Sequence, residues 1–216
     1  MNNQLLAIIG IIGGLLCAVA DCLLDLKGAD NQKLGEGKYI DSKWQDMAHW
    51  RFVASGILAM FAVPMYTCGF LSLMNQVGTE HSTFALIMKA VFCCGAMGGF
   101  MIHSYLCLMP TIYQKIMATD HFALAETVIS STFRQIIVPF VTLYSMLVIF
   151  PSIAVIYGIL AGMIALPVWC VIMNPLGFQL IGLLFRATGC KWFIDAPSIC
   201  AASLGLAMYG VLALMM

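Results

Sequence analysis

The sequence predicts an all-α, polytopic membrane protein, a bundle of about six transmembrane helices with both termini on the non-cytoplasmic side. Charged residues make up 9% of the 216-residue chain, against about 25% in an ordinary soluble domain. Apolar residues make up 62%. The polar surface that a soluble fold presents to water is therefore missing, and the few basic residues alternate with long uncharged stretches.

The predicted spans are stretches of about 20 mainly apolar residues, the length of helix that crosses the hydrocarbon core of a bilayer. Residues 1–216 form a single transmembrane domain in this interpretation. Its spans are expected at about 4–26, 52–74, 83–109, 121–149, 151–173 and 196–216.

The boundary between the fourth and fifth spans rests on a proline. The chain has no charge over 136–173, a run too long for one span. Because proline does not continue a helix beyond its first turn, we expect a break at Pro151. We expect the fifth span to end at Asn174-Pro175 and a short amphipathic piece to follow over 176–185.

Basic residues orient the predicted bundle, because they fall in every second connection. Such connections are cytoplasmic by the positive-inside rule, which places both termini outside and the protein in the cell membrane. The cytoplasmic ends of the predicted spans also carry three tryptophans, as expected of an aromatic belt at a membrane interface. They are Trp44, Trp50 and Trp192. The basic residues are Lys27, Lys33, Lys38, Lys43 and Arg51 in the cytoplasmic loop 27–51, Lys115 in the next connection, and Arg186 with Lys191 in the last.

Several function classes are disfavoured. The formal net charge is zero, so no basic footprint for nucleic acid exists. Nine cysteines occur without a CxxC pair, and a metal site would have to be assembled from single ligands on three helices. No glycine-rich phosphate loop is present. We therefore predict no cofactor, no metal and no nucleic-acid partner.

Small residues four positions apart allow helix backbones to approach closely in a bilayer. Two interpretations stay open, internal packing of the bundle or a face for homo-oligomer formation. The pairs are Gly10 with Gly14, Gly95 with Gly99, Gly158 with Gly162, and Ala201 with Gly205.

Ionisable groups within the spans gather at one depth, the cytoplasmic half. Each costs on the order of 3 kcal/mol in a span and so favours a functional site. Asp21, His103 and Glu126 are the predicted catalytic, proton-transferring residues. The predicted ligand-binding residues are Arg134, Asp25, Ser104, Asn174 and Asp195.

Arg134 is predicted to be the deepest formal charge of the chain. It keeps its charge at any ordinary pH and so needs a partner. Two partners are weighed, a structural pair with Asp21 or a bound anionic head group.

Three functions compete. The first is binding or modification of a lipid or other apolar small molecule in a pocket open to the cytoplasmic leaflet, with membrane lipids as partners. The second is a small proton-linked transporter or channel, and the third is a structural or assembly subunit. The outer half of the predicted bundle carries few polar groups, which favours the first.

Overall fold

The computed structural model describes residues 2–199 and 201–216, with the backbone alone at Ile199 and Ala201. It confirms the all-α class, since the described strands are a two-residue antiparallel pair, β1 (Lys33–Leu34) and β2 (Ile40–Asp41). The α-helices are α1 (Asn3–Asp25), α2 (Trp50–Asn75), α3 (Ser82–Met117), α4 (Phe122–Tyr144), α5 (Phe150–Leu160), α6 (Pro175–Ala187), α7 (Ala196–Ile199) and α8 (Ala201–Met215). Short 3-10 helices cover Ser42–Gln45, Thr79–His81, Val168–Ile172 and Lys191–Phe193.

Four helical stretches of the described chain are long and apolar enough to cross a membrane. They are Asn3–Asp25, Trp50–Asn75, Thr79–Met117 and Phe122–Leu160. Near the C-terminus, Lys191–Ser198 and Ala202–Met215 would together supply another, but they are bent by 66° relative to each other. The predicted sixth span, 196–216, is therefore not one straight helix.

The predicted break at Pro151 is wrong, because one continuous helical stretch runs from α4 into α5. Ser145–Ile149 winds as a π-helix, and the N–H of Phe150 donates to the carbonyl of Ser145, five residues back. This wider turn directly precedes the proline and accommodates its ring and its missing N–H. The predicted fourth span and the first ten residues of the predicted fifth thus form a single helical stretch, Phe122–Leu160.

The second half of the predicted fifth span, 151–173, is not an α-helix. The helix α5 ends at Leu160 and is followed by Gly162 with φ +73°, the left-handed conformation in which glycine commonly ends a helix. The Gly158 and Gly162 pair is therefore not a helix-packing face. The chain continues through a turn and a 3-10 helix to Asn174.

The helix α6 contains the predicted amphipathic piece at 176–185. The side chain of Asn174 accepts hydrogen bonds from the N–H groups of Leu176 and Gly177, and Pro175 occupies the first turn. This is a standard N-cap, in which a side-chain oxygen satisfies free backbone donors. From Asn174 the helix runs along α8. Arg186, near the end of α6, lines the same small cavity as Asp195.

The helices α1, α2 and α8 pack with very little space between their backbones. Gly10 faces the backbone of Gly69, Gly69 faces Gly210, and Gly14 faces Ala207. Because only glycine and alanine stand at these crossings, the backbones of the three helices approach closely. The small residues of α1 are thus used in internal packing.

All three basic connections lie at one end of the bundle, which we call the basic end. The carboxylate of Asp195 accepts hydrogen bonds from the N–H groups of Lys27 and Gly28, at 3.0 and 2.7 Å. The side chain of Gln114, near the end of α3, donates to the carbonyls of Trp44 and Met47. These bonds join the three connections directly.

Residues 27–49, which we call the cap segment, fold against the ends of α3 and α4 around a hydrophobic core of their own. Trp44 is only 5% exposed, so it is a core residue and not part of an interfacial aromatic belt. Trp50 and Trp192 are exposed, as that belt requires. The buried residues of this second core are Leu24, Ile40, Trp44, Met47, Phe52, Cys107, Met109, Tyr113, Ala125 and Ile129.

Candidate functional site

Four helices contribute one polar side chain each to a buried cluster in the half of the bundle nearest the basic end. Asp21 comes from α1, Ser55 from α2, His103 from α3 and Ser203 from α8. Ser55 and Ser203 are almost fully buried, and the side chains of Asp21 and His103 are 16% and 9% exposed. Polar groups at such positions need partners, and the four supply them to one another.

The hydrogen bonds of Ser55 assign the tautomer of His103. The hydroxyl of Ser55 donates its one hydrogen to the carbonyl of Ala20 at 2.7 Å. It lies 2.8 Å from Nε2 of His103, so it accepts there and the imidazole carries a hydrogen on Nε2. The other ring nitrogen, Nδ1, is left to face Asp21.

The carboxyl group of Asp21 and the imidazole of His103 face each other. Nδ1 of His103 lies 3.5 Å from Oδ1 of Asp21, slightly beyond an ordinary hydrogen bond. Oδ2 of Asp21 accepts a hydrogen bond from the hydroxyl of Ser203. The pair therefore either shares a proton as acid and neutral imidazole or forms an ion pair, and a small movement connects the two states.

A cavity of about 300 Å³ lies beside this pair, at the lower limit of small-molecule sites, roughly 300–1,000 Å³. Asp21, Asp25 and His103 are its ionisable groups, and Tyr144 donates to the side chain of Gln179 at 3.2 Å on its wall. The cavity is otherwise largely apolar, with Cys17, Ala59, Val63, Tyr66, Gly99, Ile102, Leu106, Phe140, Leu147, Val148, Ala202 and Leu206 in its walls.

Asp25 links this cavity to an ion-pair cluster at the basic end. Nζ of Lys27 lies 2.6 Å from Oδ1 of Asp25 and 2.9 Å from Oδ2 of Asp41, and Lys33 lies 2.9 Å from Oδ1 of Asp41. Asn31 donates to Asp41 at 2.7 Å. The cluster holds the cap segment against α1.

Both members of the Lys27–Asp41 pair are held in the charged form. Burial acts to raise the pKa of Asp41, but the Lys27 ammonium and hydrogen bonds from Asn31, Lys27 and Lys33 outweigh it and lower that pKa. Burial acts to lower the pKa of Lys27, and the charges of Asp25 and Asp41 reverse this and raise it. Neighbouring opposite charges thus dominate desolvation at both groups.

Of the eight predicted site residues, Asp21, Asp25 and His103 meet at the cavity, and Asp195 lies just beyond it at the basic end. Ser104 follows His103 on α3 but faces a separate apolar groove between α2 and α3. Asn174 is fully buried as the cap of α6 and donates to the carbonyl of Val171 at 2.6 Å. It is not among the described residues of the cavity wall.

Glu126 and Arg134 lie together elsewhere, on a polar face of α4. They line a shallow groove with Ser130 and the cap-segment residues Glu36 and Gly37. The N–H of Glu36 donates to Oε1 of Glu126 at 2.5 Å. The structure therefore does not bring Glu126 to Asp21 and His103.

The Asp21–Arg134 pair does not form, and Arg134 does not face the interior of the bundle. Asp21 contacts Ser203 and His103, while Arg134 is exposed. The helical stretch that contains Arg134 has 39 residues in all, from Phe122 to Leu160, and Arg134 lies on a face that borders the cap segment. Arg134 thus belongs to its first third, beside the cap segment.

Several important residues were missed in the sequence because they are uncharged. Ser55 and Ser203 are hydroxyl residues within apolar helices, which commonly hydrogen-bond across helix interfaces. That property is a weak signal in a single sequence, since serine also bonds its own helix. Tyr144 and Gln179 are also uncharged, and nothing in the sequence shows that their two helices meet.

The chain belongs to a protein family of unknown function, DUF6796, whose model matches residues 1–216. No curated protein and no solved structure matches the chain.

Proposed function

We propose that this chain is a multi-pass membrane protein that binds the apolar part of a lipid or lipid-like small molecule in the bundle cavity. The observation that carries the proposal is the His103–Asp21 pair at the wall of an otherwise apolar cavity of about 300 Å³. An apolar space takes up hydrocarbon, and an ionisable pair at its edge orients and protonates a polar group.

The proposed arrangement in the membrane has six crossings, with the basic end in the cytoplasm. Four are the long helices, another is α8 with its bent entry, and the remaining one combines the irregular segment 161–174 with α6. Support comes from the three basic connections at one end and the positive-inside rule. Non-helical backbone at membrane depth is tolerated where protein buries it. Here short-range backbone bonds and the side chain of Asn174 satisfy part of the segment's polar groups.

Binding is favoured over proton-linked transport, the second function weighed from the sequence, because the bundle is filled beyond the cavity. Phe70 and Phe92 stack with ring centroids 4.1 Å apart, and Tyr209 contacts both edge-on. Tyr66 borders the cavity and meets Phe92 edge-to-face. The aromatic cluster closes the route from His103 toward the other end of the bundle.

Filling the cavity tests the proposal. Ala202 lines the cavity, so Ala202→Phe should exclude the apolar chain, whereas Ala90→Phe adds the same ring at an exposed position of α3. Native mass spectrometry of the full chain released from nanodiscs should detect a bound lipid in wild type and Ala90→Phe. The expected loss in Ala202→Phe is at least tenfold in occupancy.

Unchanged lipid occupancy in a folded Ala202→Phe protein would overturn the proposal. Circular dichroism and the melting temperature of both variants establish folding. If Ala202→Phe does not fold, Ile102→Phe, on the opposite wall, makes the same test.

A further inference from the structure

A second cavity, which we call the vestibule, adjoins the first at the basic end. Its volume is about 270 Å³, and Asp25, Leu106 and Ser198 belong to the walls of both cavities. The first cavity is mainly apolar, whereas the vestibule contains three lysines. Together they form a space that is apolar at one end and charged at the other.

The charges of the vestibule do not balance. Three ammonium groups, from Lys27, Lys33 and Lys38, face two carboxylates, from Asp25 and Asp41. Lys27 and Lys33 are paired with those carboxylates. Lys38 makes no ion pair within residues 2–199 and 201–216, so the excess is one positive charge.

A second vestibule residue has an unsatisfied donor. Trp44 lines the vestibule and is 5% exposed, and its indole Nε1–H is buried without an acceptor among the described residues. A buried donor left unpaired costs about 1–3 kcal/mol, so it points to an acceptor that the chain itself does not provide. Donors and surplus positive charge are what an anion requires.

The backbone also keeps Lys38 at this position. Lys38 has φ 53°, in the left-handed region that non-glycine residues seldom adopt. Its N–H donates to the carbonyl of Gly35, which closes a turn above the vestibule. Strained backbone positions occur often at ligand sites, and here the strained residue is an exposed lysine at the edge of a cavity.

We propose that the vestibule binds the anionic head group, a carboxylate or phosphate, of an amphiphile whose apolar chain occupies the bundle cavity. This inference rests on the proposed function and adds the class of ligand. Lys38 and Lys33 supply the positive charge, Trp44 supplies a neutral donor, and the Asp25–Lys27 pair forms the boundary between chain and head group.

The experiment compares a long-chain alkyl phosphate, the alcohol with the same chain, and inorganic phosphate, each titrated into the full chain in an uncharged detergent. Lys38→Gln removes the unpaired charge without breaking an ion pair, and Lys33→Gln combined with it removes a second. Lys115→Gln, at an exposed lysine outside the vestibule, is the control. Trp44→Phe removes the indole donor.

Wild type and Lys115→Gln should bind the alkyl phosphate about tenfold more tightly than the alcohol, the usual contribution of a charge-assisted bond. Lys38→Gln should reduce this ratio severalfold and the double variant should bring it near one, with the affinity for the alcohol unchanged. Trp44→Phe should weaken only the alkyl phosphate. Inorganic phosphate should compete weakly, and only with the alkyl phosphate.

The experiment distinguishes failure of the head-group site from failure of the apolar cavity. Equal affinity of wild type for the alkyl phosphate and the alcohol, or a ratio unaffected in the double variant, would overturn the head-group site and leave the apolar cavity intact. Binding of inorganic phosphate by a protein that takes up neither chain would overturn the proposed function and the amphiphile together.

Discussion

The bundle and the cap segment are held together by different forces. In the bundle, α1, α2 and α8 meet through glycine backbones, and the aromatic cluster of Phe70, Phe92 and Tyr209 fills the space between helices. The cap segment has few hydrogen-bonded strand residues. It is attached to the helices by the Asp25–Lys27 ion pair, by the bonds of Gln114 and by a small hydrophobic core around Trp44. The bundle therefore depends on close backbone packing, whereas the attachment of the cap segment combines polar bonds with a small core.

This difference places the proposed ligand site at the junction of the two regions. The apolar cavity belongs to the bundle, and the vestibule is closed by the cap segment through Lys33, Lys38 and Trp44. A region attached by polar bonds opens at lower free energy than a packed bundle. We therefore expect the cap segment to move more readily than the helices when an amphiphile enters.

The largest effect should come from filling a glycine contact in the bundle. In Gly10→Leu the new side chain meets the backbone of Gly69, where neither helix yields, and overpacking of this kind costs about 3 kcal/mol. We expect a melting temperature lower by many degrees in detergent. Gly56→Ala is the matched control, since a Cβ at Gly56 meets nothing and alanine favours the helix by up to about 1 kcal/mol. Equal melting temperatures for Gly10→Leu and wild type would show that the bundle does not depend on this close backbone contact.

A smaller, local effect is expected in the cap segment. Asp41→Ala leaves the buried Lys27 with Asp25 alone and removes the acceptor of Asn31, a loss of about 2 kcal/mol. Hydrogen exchange should quicken over residues 27–49 and stay slow in α1 and α2. In the control Asp30→Ala, the lost contact is the 3.8 Å approach of Lys43 to a carboxylate that is 88% exposed, so exchange should hardly change. Faster exchange throughout the bundle in Asp41→Ala would show that the two regions are one cooperative unit.

The smallest effect is the dependence of cap attachment on pH. The pKa of Asp41 is lowered from 3.8 in the fold, so its contribution is complete above that value and is lost as the pH falls through the folded pKa. The pKa of Lys27 is raised from 10.5, so its contribution is complete below 10.5 and is lost as the pH rises further. Cap-segment exchange, corrected for the intrinsic pH dependence, should be slowest between these limits. In Asp41→Asn, cap-segment exchange should no longer become faster as the pH falls. If it still does, Asp41 is not the cause of the pH dependence at acid pH.

The sequence was informative wherever charge and depth decide position. Asp21, Asp25 and His103 were grouped because the first and third spans were predicted to end on the same side, and the three residues do line one cavity. The grouping of Glu126 and Arg134 with them failed because both lie on the face of α4 that borders the cap segment, and the sequence does not show which way that face points. The separate error at Pro151 has another cause. Proline discourages a helix but does not forbid one, and the π-helical turn that accommodates it depends on tertiary packing.

The vestibule could not be predicted for a related reason. Lys33, Lys38 and Trp44 have the composition of an interfacial loop, and the basic patch had already been explained by topology. Only the folding of residues 27–49 onto α3 and α4 brings Trp44 into a core and leaves its indole N–H unpaired. Long-range contacts of this kind leave no periodic pattern in one sequence.

The irregular segment 161–174 has a consequence for the order of assembly. In the proposed membrane arrangement this stretch and α6 make one crossing, in which short-range backbone bonds close the turns, Asn174 caps α6 and Pro175 packs on Gly205 of α8. Because irregular backbone is tolerated in a bilayer only where protein surrounds it, this crossing depends on α8, which is synthesised after it. We therefore expect the segment to settle in the membrane only once α8 is in place.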